Sequence, residues 1–232
     1  MMKNFELIRE LSSEPIVTKA TIKRIVGCDD RYAYTILNRL RNRGIIKQIK
    51  KGRYTALDDI YIISTNMYTP SYLCLWSASS YKGYTEQILG EIQVAVTREH
   101  KEVEFNNYRI TPIRFSEKIF FGFQKLNAGN FSIFIAEDEK LLIDSLLFPE
   151  RMGNPEEIKK VFKNAEIDEG KLVNYLKRIG NKSLIKRCCF LLERIRGIDL
   201  SDNFQIGDRN YIPLFSKKGK KIDSKWRIRH DL

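Results

Sequence analysis

Histidine is almost missing from this chain: there are two in 232 residues. His100 and His230 stand apart, in charged stretches that read as exposed, so no zinc set and no histidine-based catalytic triad is expected. The four cysteines (Cys28, Cys74, Cys188 and Cys189) include no C-x-x-C pair. The opening residues Met1-Met2-Lys3-Asn4-Phe5-Glu6 lack the apolar core of a secretion signal. Reduced thiols and a cytoplasmic location are therefore the expectation. No window reaches the roughly 18 consecutive apolar residues that a membrane span needs. The phosphate-cradling G-x-x-x-x-G-K-[ST], the dinucleotide G-x-G-x-x-G and the nucleophile-elbow G-x-S-x-G are all missing. No catalytic residue, metal or cofactor is assigned on these grounds, and a non-enzymatic protein is expected.

What the chain has is positive charge, +12 overall with 41 Lys+Arg against 29 Asp+Glu, and the charge is segregated. Residues 1–57 carry +8, residues 58–150 carry −5 and residues 151–232 carry +9. A basic end module ahead of an acidic middle suggests a nucleic-acid-binding head on a body with other work. A lysine-rich stretch, Lys217-Lys218-Gly219-Lys220-Lys221, stands near the end.

The first 57 residues read as three helices and a hairpin. Phe5, Leu7, Ile8 and Leu11 fit a short amphipathic helix that breaks near Pro15. Thr18 is placed to cap a second helix, Lys19 to Val26, with Ile22, Ile25 and Val26 inward. After the turn at Gly27-Cys28, Asp29 or Asp30 supplies the next cap.

The third helix, about Arg31 to Arg43, sets Ala33, Ile36, Leu37 and Leu40 on one apolar stripe. The opposite face carries Arg31, Thr35, Asn38 and Asn42, flanked by Tyr34 and Arg41 on one side and Tyr32 and Arg39 on the other. It offers guanidinium groups for phosphates, amide and hydroxyl groups for base edges, and no carboxylate, which suits the major groove. After Gly44 the period changes to extended. Two strands, Ile45–Ile49 and Arg53–Leu57, meet at Lys50-Lys51-Gly52. This is the plan of a winged helix-turn-helix, with Lys47, Lys50, Lys51 and Arg53 on the wing to reach phosphates or the minor groove. Winged helices also serve as protein-docking modules, so that alternative stays open.

Further on, Tyr72 to Tyr81 reads as a buried helix ended by Gly83. Ile92–Thr97, Val103–Ile113, Ile119–Phe123 and Phe131–Ala136 read as strands of one sheet. A helix opens with Glu137-Asp138-Glu139 and carries an i,i+4 pair, Lys140 and Asp144. Asp138-Glu139-Lys140 also superficially fits half of a metal-dependent nuclease site. The upstream carboxylate that such a site requires has only Glu117 as a candidate. Helices follow at Glu156–Phe162, Lys171–Ile179 and Ser183–Arg196. Lys182, Lys186, Arg187, Arg194 and Arg196 lie on or near the last of these, as a solvated face or a binding patch. Trp226 is expected to be docked. The expected fold class is α+β: a winged helix-turn-helix domain at 1–57, then residues 58–232, mixed α/β to 150 and mainly helical from 151.

In order along the chain, Arg43-Gly44-Ile45-Ile46, Gly52-Arg53-Tyr54, Pro70-Ser71-Tyr72, Leu75-Trp76-Ser77-Ala78, Gly83-Tyr84-Thr85-Glu86-Gln87, Glu139 through Asp144 and Lys225-Trp226 resemble the AbiEi-type antitoxin and transcriptional regulator family of type IV toxin–antitoxin systems. One departure is Ala136-Glu137-Asp138, where a proline-containing lead-in to the helix is common. The resemblance implies that residues 58–232 form an AbiEi-like C-terminal domain. It also implies an N-terminal domain that represses its own promoter at inverted repeats in double-stranded DNA. A nearby gene would encode a nucleotidyltransferase-like toxin, opposed without a stable complex. A metal-dependent nuclease with a DNA-binding head and a stand-alone regulator without a toxin are the alternatives.

Overall fold

The structure is a computed structural model that describes residues 4–87, 90–205, 210–215 and 219–232; Lys217, Lys218 and the side chain of Phe5 lie outside the described part. The fold is α+β, and its contacts divide into two compact units. The first comprises residues 1–73, 90–114 and 125–134, and the second residues 74–89, 115–124 and 135–232.

The first unit begins with α1 (Asn4–Ser12), α2 (Lys19–Val26) and α3 (Asp30–Asn42), followed by a hairpin of β1 (Lys47–Lys50) and β2 (Arg53–Thr55). Local chemistry sets these boundaries. Thr18 caps α2 in a reciprocal capping box with Thr21, and Gly27 ends that helix at φ +70°. Asp29 caps α3 by accepting from the Tyr32 amide at 2.7 Å. The hairpin turns at Lys51-Gly52, where φ is +77° and a side chain would be strained. One core unites these pieces: Leu11, Ile22, Ala33, Ile36, Leu37, Leu40, Ile46 and Tyr54 are all buried. Val17 pairs antiparallel with Tyr54 through amide–carbonyl bonds of 2.7 and 2.8 Å, so the stretch between α1 and α2 adds a bridge to the hairpin.

The same unit holds α4 (Ile60–Met67), capped by Asp59, and most of a six-stranded sheet, of which only residues 123–124 and 135–136 are counted with the second unit. The strands are β3 (Ser71–Leu73), β4 (Glu91–Val96), β5 (Val103–Phe105), β6 (Tyr108–Arg114), β7 (Phe123–Ala128) and β8 (Phe131–Ala136), in the order β5-β6-β4-β3-β8-β7. β4 runs parallel to β6 and antiparallel to β3. β5 and β6 join through Asn106-Asn107, both at positive φ as a tight hairpin turn needs.

In the second unit α5 (Leu75–Tyr81), α7 (Pro155–Asn164), α8 (Glu169–Ile179) and α9 (Lys182–Arg196) surround α6 (Asp138–Leu147). Every residue of α6 from Glu139 to Leu146 is buried. A small sheet of β9 (Ile212–Pro213), β10 (Lys221–Asp223) and β11 (Ile228–His230) closes the chain. Trp226 is docked as expected, and its indole N–H donates to Glu193 at 2.5 Å.

Several sequence expectations are corrected. Tyr72 and Leu73 belong to a strand paired with β4; the backbone is still extended at Cys74, and α5 starts only at Leu75, whose φ is +49°. Ile119 to Phe121 form no strand. Phe121 is spent on packing instead, edge-on to Tyr175 and under the Arg178 guanidinium at 3.9 Å. The Lys140–Asp144 pair forms, but both side chains are fully buried, so it is no surface device. Lys186 is also internal and donates to the Asn210 carbonyl. His230 is buried against Phe190 and accepts from the Leu232 amide. All four cysteines are free thiols. Among the described residues no helix is long and apolar enough to cross a membrane.

Candidate nucleic-acid interface

The outward face of α3 is built by the residues beneath it. With Ala33, Ile36, Leu37 and Leu40 locked in the core, helical geometry turns Arg31, Tyr32, Tyr34, Arg39 and Asn42 to solvent and leaves Thr35 and Asn38 half-buried. Tyr32 and Tyr34 are 47% and 56% exposed, so both rings stand on the solvent side of α3 with their hydroxyls free to meet a partner. The Thr35 hydroxyl donates to the Arg31 carbonyl at 3.1 Å, so the role left to it is that of an acceptor. Arg41 donates to the Gln48 side chain at 3.1 Å, tying α3 to β1.

Beside this face lies an open concavity of about 550 Å³ lined by Lys19, Asp30, Arg31, Tyr34, Thr35 and Asn38. Lys19 and Lys23, one turn apart on α2, both reach Asp30, at 2.5 and 2.6 Å. The hydrogen bond from Lys19, then that from Lys23, holds the Asp30 carboxyl down at about 2, and Asp30 in turn raises Lys23. Sequence reasoning missed these two lysines as members of the site. The visible signal was their i,i+4 spacing on α2 with a carboxylate at the start of the next helix.

The hairpin cations are not equivalent. Lys47 pairs with Asp58 at 2.5 Å. The Arg53 guanidinium is half-buried and donates to the Met67 carbonyl at 2.7 Å. Lys50 sits over the Tyr68 ring, 5.0 Å from its centre, and its pKa is lowered by burial and then by Arg53. Lys51, at the tip, is exposed and has no ion-pair partner among the described residues.

The three residues Asp138, Glu139 and Lys140 go separate ways within the second unit. Asp138 accepts from the Lys82 ammonium at 2.8 Å and the Tyr84 hydroxyl at 3.0 Å. Glu139 accepts from the Asp168 amide at 2.8 Å and faces Lys171 at 3.3 Å. Lys140 turns inward to Asp144. Among the described residues no three His, Cys, Asp or Glu side chains are grouped to hold a metal ion.

No protein-family model matches this chain, and no curated protein matches it either. Among solved structures it is similar to the crystal structure of the RV2827C protein from Mycobacterium tuberculosis, with a TM-score of 0.66 and 16% identity over 97% of this chain and 90% of that one. At that identity the likeness speaks for the fold alone: this chain shares an α+β architecture over nearly its whole length with that protein.

Proposed function

We propose that the protein is a sequence-specific, double-stranded-DNA-binding transcriptional regulator whose first 57 residues act as a winged helix-turn-helix. The observation that carries the reading is α3: a rigid amphipathic helix with its apolar stripe buried, its outer face free of carboxylates from Arg31 to Asn42, and two exposed tyrosines. The hairpin that follows, bridged by Val17 and tipped by Lys51, supports the wing assignment. In this reading Arg31, Thr35 and Asn38 address base edges, Tyr34 and Arg39 make marginal contacts, and Lys51 with Lys47 contacts phosphates.

Resemblance to the AbiEi-type family extends the reading. The protein represses its own promoter at inverted repeats, works in the cytoplasm and serves as antitoxin to a nucleotidyltransferase-like toxin encoded nearby, without a stable complex. No enzymatic activity is assigned to it. The test is fluorescence anisotropy of the purified chain with its own upstream DNA and a scrambled duplex, at several salt concentrations. A preference of about a thousandfold with a steep salt slope is the expected result. Equal, weak binding to both duplexes would remove sequence-specific regulation as the function.

A further inference from the structure

Tyr68 joins two parts of the first unit that the sequence keeps far apart. Its ring lies under the Lys50 ammonium at 5.0 Å and against the His100 imidazole, with ring centres 4.6 Å apart. Its hydroxyl donates to the Lys101 carbonyl at 3.3 Å. Arg53 is anchored on the neighbouring Met67 carbonyl. The loop between β4 and β5, residues 97–102, is thereby fastened to the hairpin, and β1 packs beside β5.

The charges gathered there have one sign. The groups facing His100 are Lys50 from β1, Arg53 from β2, Arg98 from its own loop and the neutral Tyr68. The two carboxylates of the loop are drawn elsewhere, Glu99 to Arg114 at 3.1 Å and Glu102 towards Arg109 at 3.9 Å. Arg98 and Lys101 are exposed, and neither has an ion-pair partner among the described residues. Burial first, then Lys50, Arg53 and Arg98, depress the His100 pKa, and burial pushes Tyr68 up to about 12. A fold that holds like charges together stores repulsion, which an anion relieves.

We propose that the 97–102 loop is part of the DNA-binding surface: Lys50, Arg98, His100 and Lys101 form one patch beside the wing that takes backbone phosphates of duplex DNA. This rests on the DNA-binding reading and adds to it a contact region more than 40 residues beyond the hairpin in sequence. A phosphate on the patch favours the imidazolium form, so His100 takes up a proton on binding. The sign follows. The fold lowers the His100 pKa and a bound phosphate opposes that shift, so a proton is taken up on binding and affinity rises as pH falls from about 8 to 6.

The experiment measures anisotropy of the full chain with its upstream duplex, across salt and across pH 6 to 8. The variants are Arg98→Gln/Lys101→Gln, His100→Gln and, as a charge-loss control, Lys125→Gln on β7 at the opposite edge of the sheet. The double variant should flatten the log–log salt slope by about 1.8 and weaken binding near 0.1 M salt more than about tenfold. Lys125→Gln should change little. The wild-type chain should bind about threefold to tenfold more tightly at pH 6 than at pH 8, and His100→Gln should lose that difference. A double variant indistinguishable from Lys125→Gln overturns the patch, and so does a pH dependence that survives in His100→Gln. Both of those leave DNA binding by α3 standing, whereas a wild-type chain that binds no duplex overturns both readings at once.

Discussion

Replacing Lys140 with methionine should unbalance the second unit. Lys140 and Asp144 are both fully buried on α6, and the Lys140 ammonium also lies 4.9 Å from the centre of the Phe115 ring and 5.5 Å from that of Phe121. Methionine keeps most of the volume but leaves the Asp144 carboxyl alone in an apolar setting. Breaking a buried pair by removing one partner costs about 3–5 kcal/mol, whereas replacing both partners by apolar groups is often neutral or stabilising. For a chain of this size, with about 2–4 °C per kcal/mol, the single variant should lose roughly 6–20 °C in melting temperature.

The pH dependence has a definite sign. Burial raises Asp144 to about 6, above its ordinary value, even with Lys140 opposing that shift. The folded state therefore binds more protons than the unfolded one between about pH 4 and the folded value, and stability is lost as pH rises through that window. Without Lys140 the carboxyl rises further, so the penalty of Lys140→Met should be larger at pH 8 than at pH 5. Both tryptophans, Trp76 and Trp226, lie in the second unit, so their fluorescence during urea unfolding reports on it. Lys140→Met/Asp144→Leu should recover most of the loss. A single-variant cost below about 1 kcal/mol, or one that does not vary with pH, would refute the claim that Asp144 depends on its buried partner.

Four more outcomes are expected. Asn38→Ala should cost about 1–3 kcal/mol of discrimination between upstream and scrambled DNA while leaving the salt slope unchanged, as measured by competition anisotropy. Lys51→Ala should flatten the salt slope by about 0.9 without loss of stability. Arg53→Ala should lower the melting temperature as well, because its guanidinium donates to the Met67 carbonyl. Gly122→Ala should destabilise the second unit by about 1–3 kcal/mol in urea unfolding. Its backbone is at φ +70°, and a Cβ would come within 2.9 Å of Tyr175 and 3.0 Å of Lys140.

The N-terminal elements were legible because their signals are local. Thr18 and Asp29 cap helices within three residues of themselves, the stripe Ala33-Ile36-Leu37-Leu40 repeats at the helical period, and Gly52 marks the hairpin tip. Local signals failed where the same residue types served distant neighbours. The apolar run at Ile119–Phe121 has the composition of a strand, yet Phe121 is committed to Tyr175 and Arg178 on α8. Tyr72 and Leu73 look continuous with the helix after them, but pairing with β4 holds them extended.

The sequence by itself therefore determined the α+β class, the outward face of α3 and the segregation of charge, since period, caps and composition act over a few residues. The tertiary structure decided which charges are available. It turned Arg53 onto a carbonyl, sank Lys140, Asp144 and Lys186 into the interior, and gathered Lys50 and His100 on the Tyr68 ring with Arg98 near His100. The reason is physical. A side chain's burial, its ion-pair partners and the potential it feels are set by groups brought close by folding, and sequence spacing carries no record of those distances.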